Sequence, residues 1–80
     1  MNKFEKIRDK VLDGSADANI DFDDLRSFLK ALGFVERIKG SHHIYRKEGI
    51  IERPNLQREG NKAKSYQVRQ IRAMIRKYGL

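Results

Sequence analysis

The sequence predicts an α+β fold, a three-stranded antiparallel sheet with helices packed on one of its faces. Three observations predict it: apolar residues recur at helical spacing twice before Gly33, the period changes to two between Phe34 and Asn55, and helical spacing returns after Ser65. The order is helix, helix, three strands, helix. Each amphipathic element must bury its apolar side against another, so the economical arrangement stacks the helices on one sheet face and leaves the other face open. Eighty residues make a single small domain with one modest core, and no internal repeat or domain boundary is visible.

The elements follow in order. Asn2 to Asp13 reads as a short helix with Phe4, Ile7, Val11 and Leu12 on one face, broken by Gly14-Ser15-Ala16-Asp17. Asp21 is the expected N-cap of a second helix, whose apolar stripe is Phe22, Leu25, Phe28, Leu29 and Leu32. Asp23 and Asp24 suit its positive end, and Gly33 suits a left-handed stop. A first strand then places Phe34, Glu36 and Ile38 on one face and Val35, Arg37 and Lys39 on the other. Gly40-Ser41 is the first turn, His42 to Lys47 the second strand, Glu48-Gly49 the second turn and Ile50 to Arg53 the third strand. Pro54 has no N–H for a ladder and is expected to end that strand or to lie on an edge. Gln57 to Lys64 reads as a loop. Ser65 is the expected cap of the last helix, with Val68, Ile71, Ile75 and Tyr78 on its apolar face and Arg69, Arg72 and Arg76 on a neighbouring basic one.

Composition narrows the chemistry. The absence of cysteine removes disulfides, thiolate metal sites and cysteine nucleophiles. There is no apolar run of signal-peptide length and none of the roughly 20 residues a membrane span needs, so a cytoplasmic protein without membrane contact is expected. The formal net charge of +7 is unevenly placed. Residues 1–33 carry six basic against seven acidic side chains, and residues 34–80 carry twelve against four. The second part is therefore built to meet anions, whether nucleic acid, anionic lipid or an acidic protein.

Both histidines lie in Lys39-Gly40-Ser41-His42-His43-Ile44, inside that basic part. Histidine gives and takes protons near neutral pH, which makes this segment the candidate site. Alternation puts His42 with Ile44 and Arg46 on one side of the strand, and His43 with Tyr45 and Lys47 on the other. Parity alone does not say which His is exposed, because a bulge at Gly40-Ser41 would reset the phase. Adjacent strand residues point apart and no nearby carboxylate completes a ligand set, so no metal site and no cofactor are expected. Metal-free cleavage of RNA needs a base for the 2′-hydroxyl proton, cations for the phosphorane and a proton for the leaving oxygen. His42 is the candidate base or acid. Arg37, Lys39 and Arg46 are candidate phosphate clamps, and Lys62 and Lys64 add ammonium groups at the N-terminus of the last helix, where free N–H groups favour phosphate. Taken singly, each of these cations is better read as a solvated surface charge.

Several of these motifs together resemble a known family. A helix ending in Leu32-Gly33-Phe34, an Arg-bearing strand, Lys39-Gly40-Ser41-His42-His43-Ile44-Tyr45, a basic loop and the run Lys62-Ala63-Lys64-Ser65-Tyr66-Gln67-Val68-Arg69-Gln70-Ile71-Arg72 resemble the HicA toxins of bacterial toxin-antitoxin pairs. The resemblance covers roughly Phe22 to Leu80. It implies a double-stranded-RNA-binding-domain-like fold and the activity of a messenger-RNA interferase, an endoribonuclease. It also implies a catalytic histidine directly after Gly-Ser, here His42, with Gly40 and Ser41 shaping the turn that presents it. The segment from Lys62 to Ser65 resembles the basic helix start with which such domains touch phosphates. A HicB-like antitoxin covering the catalytic face is the implied protein partner, and mRNA the implied substrate. Residues 1–20 then form an N-terminal helical extension to a domain spanning residues 21–80. The alternative is a non-catalytic RNA-binding module on the same fold. A domain contacting DNA or protein through Arg69, Arg72 and Arg76 is a further one.

Overall fold

The computed structural model describes residues 2–80 and has the predicted α+β architecture, three helices and a three-stranded antiparallel sheet. Helix α1 spans Lys3–Asp13, capped by the Asn2 side chain, which accepts from the Glu5 N–H at 2.8 Å. A 3₁₀ turn at Asp17–Asn19 leads to α2, Phe22–Ala31, whose N-cap Asp21 accepts from the Asp24 N–H at 3.0 Å as its sequence position demands. Gly33 follows with φ 102°, the left-handed geometry that ends the helix.

Strands β1, Val35–Lys39, and β2, His42–Arg46, pair in an unbroken register from Val35↔Arg46 to Lys39↔His42. The two-residue turn between them has φ 59° at Gly40 and contains no bulge. Strand β3 differs from the expectation. Ile50 to Arg53 is not a strand. Instead β3 is Asn55–Leu56, pairing His43↔Leu56 and Ile44↔Asn55, with the Tyr45 N–H donating to the Pro54 carbonyl at 2.9 Å in the same register. Pro54 therefore lies on the sheet edge just before the third strand, rather than ending it. The physical reason lies in the last helix, α3 (Ser65–Tyr78). Tyr78 Oη accepts from the Ile51 N–H, and the Tyr78 hydroxyl and Lys77 ammonium hold the Glu52 carboxyl at a pKa of about 2. That binds residues 51 and 52 to the helix instead of to β2, and Ile51 is 84% exposed.

The expected loop after Asn55 is likewise more ordered. Arg58–Glu59 (β4) and Lys62–Ala63 (β5) form a small hairpin, and Ala63 N–H to Ile20 carbonyl and Phe22 N–H to Asn61 carbonyl bonds fasten it to the chain entering α2. Helix α3 spans Ser65–Tyr78, and its N-cap is Lys64, without a side-chain cap, not Ser65.

The core lies between the helices and one sheet face. Ile7 and Val11 of α1, Phe22, Leu25, Phe28 and Leu29 of α2, and Val68, Ile71, Met74 and Ile75 of α3 meet Phe34, Tyr45 and Leu56. Arginines on α3 fasten α1 to this core. Arg72 makes two bonds to the Asp17 carboxylate, at 2.8 and 3.1 Å, and donates to the Val11 carbonyl at 3.0 Å, while Arg76 donates to the Leu12 carbonyl at 3.1 Å. These are the unsatisfied carbonyls of a helix C-terminus, which cations favour. Gly14 has φ 82°, and a Cβ there would lie 3.2 Å from Arg72 Nη1, so a side chain at this position would strain the backbone and crowd the clasp.

Candidate functional site

The unbroken β1–β2 register settles which histidine is which. Residues directly opposite share a face, so His42, Ile44 and Arg46 stand with Lys39, Arg37, Val35 and Asn55 on the open face of the sheet. His43 and Tyr45 stand with Glu36 and Leu56 on the helix face.

His43 is a core residue. It is 7% exposed, donates from Nδ1 to Glu36 Oε2 at 3.3 Å and meets the edge of the Phe22 ring at a centroid distance of 5.0 Å. Glu36 is the hub of this side. Its carboxylate takes two bonds from Arg26, at 2.8 and 2.9 Å, one from the buried Tyr45 hydroxyl and an ammonium contact from Lys30 at 3.1 Å. The Arg26 guanidinium, followed by the Tyr45 and Lys30 contacts, holds the Glu36 carboxyl well below the usual carboxylate range despite its burial. Burial and the adjoining carboxylate push the Tyr45 hydroxyl far up, so it stays a donor. This cluster fixes β1 and β2 against α2.

His42 is exposed at the start of β2. Its Nδ1 lies 3.0 Å from Asn55 Oδ1, its Nε2 lies 3.5 Å from Gln57 Nε2, and Gln57 Nε2 also donates to Ser41 Oγ at 3.1 Å. Lys39 is its cross-strand partner. At the Gly40-Ser41 turn that precedes His42, a recess of about 330 Å³ is lined by Gly40, Ser41, His43, Gln57, Arg58 and Lys64, so that His43 and not His42 is the histidine in its wall. Lys64 is thus brought from the start of α3 to the histidine turn, a meeting that its place in the sequence did not show. Along the open face a second recess of about 470 Å³ is lined by Arg37, Lys39, Arg46 and Arg53 over a floor of Val35 and Ile44. None of those four cations is in an ion pair among the described residues. They lie around apolar side chains, with their charge available to an anion.

The remaining predicted site residues are elsewhere. Lys62 lies in β5, half-buried, opposite Glu59. Arg72 and Arg76 are engaged with α1 and Asp17, which corrects the expectation of a free basic stripe on α3; within that trio only Arg69 is exposed without such a contact among the described residues. Sequence reasoning missed Arg53, Asn55 and Gln57. Their only signal was alternation about Leu56, hidden by placing the third strand too early.

A family model for the HicA toxin of bacterial toxin-antitoxin systems matches residues 22–80, from the first residue of α2 to Leu80. The chain belongs to the HicA toxin family. It is accordingly the toxin member of a toxin-antitoxin system, with an antitoxin as partner. The HicA match contains the whole sheet, both recesses and α3, and leaves α1 and the 3₁₀ turn outside it. The α+β arrangement of helices and sheet is consistent with the double-stranded-RNA-binding-domain-like fold of HicA toxins. No curated protein and no solved structure matches the chain. No described helix is long and apolar enough to cross a membrane.

Proposed function

We propose that this HicA toxin is a metal-independent endoribonuclease, an mRNA interferase acting in the cytoplasm, with His42 as its proton-transfer group. The observation that carries the reading is the position of His42 on the open sheet face, with Lys39 opposite and Lys64 at the adjoining turn. The RNA backbone crosses this face, its phosphates neutralised by Arg37, Lys39, Arg46 and Lys64, with Gly40 and Ser41 shaping the turn. The uncapped N-terminus of α3 adds backbone N–H groups beside Lys64.

The chemistry needs no external nucleophile. As the ribose 2′-oxygen bonds to the adjacent phosphorus, His42 accepts its proton. The P–O5′ bond breaks, and the departing oxygen takes a proton from the imidazolium or from water. The products are a 2′,3′-cyclic phosphate and a 5′-hydroxyl. A general base or acid of this kind contributes roughly 10²–10⁴ in rate. The same cationic face suits a HicB-like antitoxin with an acidic surface, which would inhibit by covering His42. Residues 21–80 form the toxin domain in this reading, and residues 1–20 are an extension to it.

The test is incubation of the purified protein with labelled single-stranded RNA in EDTA beside His42→Ala, with product ends resolved by gel and mass. Cleavage by the wild type alone, leaving cyclic-phosphate or 3′-phosphate ends, is the expected result. Equal cleavage by both proteins would remove His42 from the mechanism. Salt-dependent RNA binding with no cleavage by either would favour a non-catalytic RNA-binding module.

A further inference from the structure

We propose that Asn55 and Gln57 are positioning residues that hold His42 with its proton on Nδ1 and its lone pair on Nε2, so that Nε2 is the atom presented to the RNA. The part concerning RNA rests on the ribonuclease reading above; the tautomer does not. Two partners, as their amides are oriented, fit the same tautomer. Asn55 Oδ1 can only accept, and at 3.0 Å it takes a proton from Nδ1. Gln57 Nε2 can only donate, and at 3.5 Å it approaches the unprotonated Nε2. Gln57 is itself tethered at 3.1 Å to Ser41 Oγ, on the turn that leads into His42.

The backbone explains why these two amides reach the same ring. Positions 55 and 57 flank Leu56, which is 1% exposed and turned into the core, so alternation directs both toward the open face. Among the described residues this short edge strand has no further strand beyond it, and a buried side chain takes that place. Gln67 of α3, 2% exposed, accepts from the Gln57 N–H at 3.3 Å and donates to the Asn55 carbonyl at 3.2 Å. One side chain thus imitates a neighbouring strand at the two residues whose side chains hold His42.

The charged surroundings favour an amide as the orienting group. Lys39 stands across from His42 on β1, Arg46 shares its face of β2, and Lys64 and Arg58 line the recess at its turn. Glu36 is on the opposite sheet face, committed to Arg26 and Tyr45. Asn55 orients the ring without placing a negative charge where phosphate must bind. The assigned tautomer also places the protonated Nδ1 toward the strand and the basic Nε2 on the Gln57 side, where a 2′-hydroxyl can displace the longer amide contact.

The test has a readout independent of activity. In long-range ¹⁵N spectra of the wild-type protein, neutral His42 should be mainly the Nδ1–H form, and a predominant Nε2–H form would overturn the proposal whether or not RNA is cleaved. Asn55→Ala should revert the ring to Nε2–H and lower kcat by about 100-fold, the cost of misplacing a reacting group, with little change in KM. Asn55→Asp keeps the acceptor and adds charge. It should restore the Nδ1–H form, raise KM for RNA and move the acid limb of the rate profile up by about one pH unit. A merely structural role predicts a changed melting temperature with unchanged tautomer and pH profile, and that result also overturns the proposal. If wild-type protein with the Nδ1–H tautomer cleaves no RNA, the ribonuclease reading fails and the assignment of Asn55 and Gln57 stands.

Discussion

Replacing Glu36 by Gln should cost about 3 kcal/mol of stability at pH 7, although the two side chains have nearly the same shape. Glu36 Oε1 accepts from Arg26 Nη2 at 2.9 Å and Lys30 Nζ at 3.1 Å; Oε2 accepts from Arg26 Nε at 2.8 Å, the Tyr45 hydroxyl and His43 Nδ1 at 3.3 Å. Arg26 and Lys30 can only donate, so an amide NH₂ on either side faces an Arg26 N–H, while on the Oε2 side the Tyr45 hydroxyl and the His43 ring can turn to accept. On the Oε1 side it loses the Arg26 Nη2 and Lys30 contacts, and on the Oε2 side it loses the Arg26 Nε contact, so one guanidinium bond is lost either way. A hydrogen bond to a buried charge contributes roughly 1.5–3 kcal/mol, and Lys30, with a half-exposed side chain, contributes less. Removal of the charge also weakens the Arg26 contact that remains, and Arg26 keeps Asp23 as a partner, which limits the total. For a domain of this size about 3 kcal/mol corresponds to a fall in Tm of roughly 12–24 °C.

The pH dependence follows from the depressed carboxyl. Its contribution is complete above the unfolded pKa, about 4.3, and is lost as pH falls toward the lower folded value. From neutral pH down to pH 3 the loss is about 1.8 kcal/mol, the distance below 4.3 at 1.36 kcal/mol per unit. Thermal melts of wild type and Glu36→Gln from pH 3 to 7 should therefore converge toward low pH, with more than half of the gap gone at pH 3. Glu52, bonded to Tyr78 and Lys77 away from this cluster, titrates alike in both proteins and cancels. A Tm difference below about 4 °C at pH 7, or a gap that stays constant down to pH 3, would refute the account of Glu36 as a buried hub.

Two further outcomes separate structural from binding cations. Arg72→Ala should lower stability by about 1–2 kcal/mol in urea titration, because Arg72 and Asp17 are only 15% and 13% exposed, while leaving the salt dependence of RNA binding unchanged; a flatter salt slope at unchanged stability would return Arg72 to the binding face. Arg37→Ala and Arg46→Ala should do the reverse, each reducing the slope of log K against log salt by about 0.7 for single-stranded RNA with a near-wild-type melt; full slopes in both variants would place the RNA off the open sheet face.

Local rules carried a large part of the fold. Asp21 as N-cap, Gly33 as helix stop, Gly40-Ser41 as a two-residue turn and the apolar stripe of α2 all depend on interactions within a few residues, and all are found where the pattern places them. Reading failed where a distant side chain outbid a local preference. Ile50 to Arg53 has a strand's composition, yet Tyr78 and Lys77, at the far end of α3, bind residues 51 and 52. Arg69, Arg72 and Arg76 look equivalent on a helical wheel, yet Asp17 and the end of α1 lie within reach of Arg72 and Arg76.

The candidate site divides in the same way. Sequence alone determined that a basic second part of the chain carries His42 in a Gly-Ser turn, and family membership follows from those motifs. It left open which histidine faces solvent, because alternation defines two faces without saying which one the helices cover. Only the tertiary structure decided that, through a register free of bulges and a Glu36 cluster that draws His43 inward. Asn55, Gln57 and Gln67 became partners of the site in the same step. They are ordinary polar residues 13 to 25 positions from His42, and no local periodicity records a hydrogen bond made across a sheet and completed by a helix.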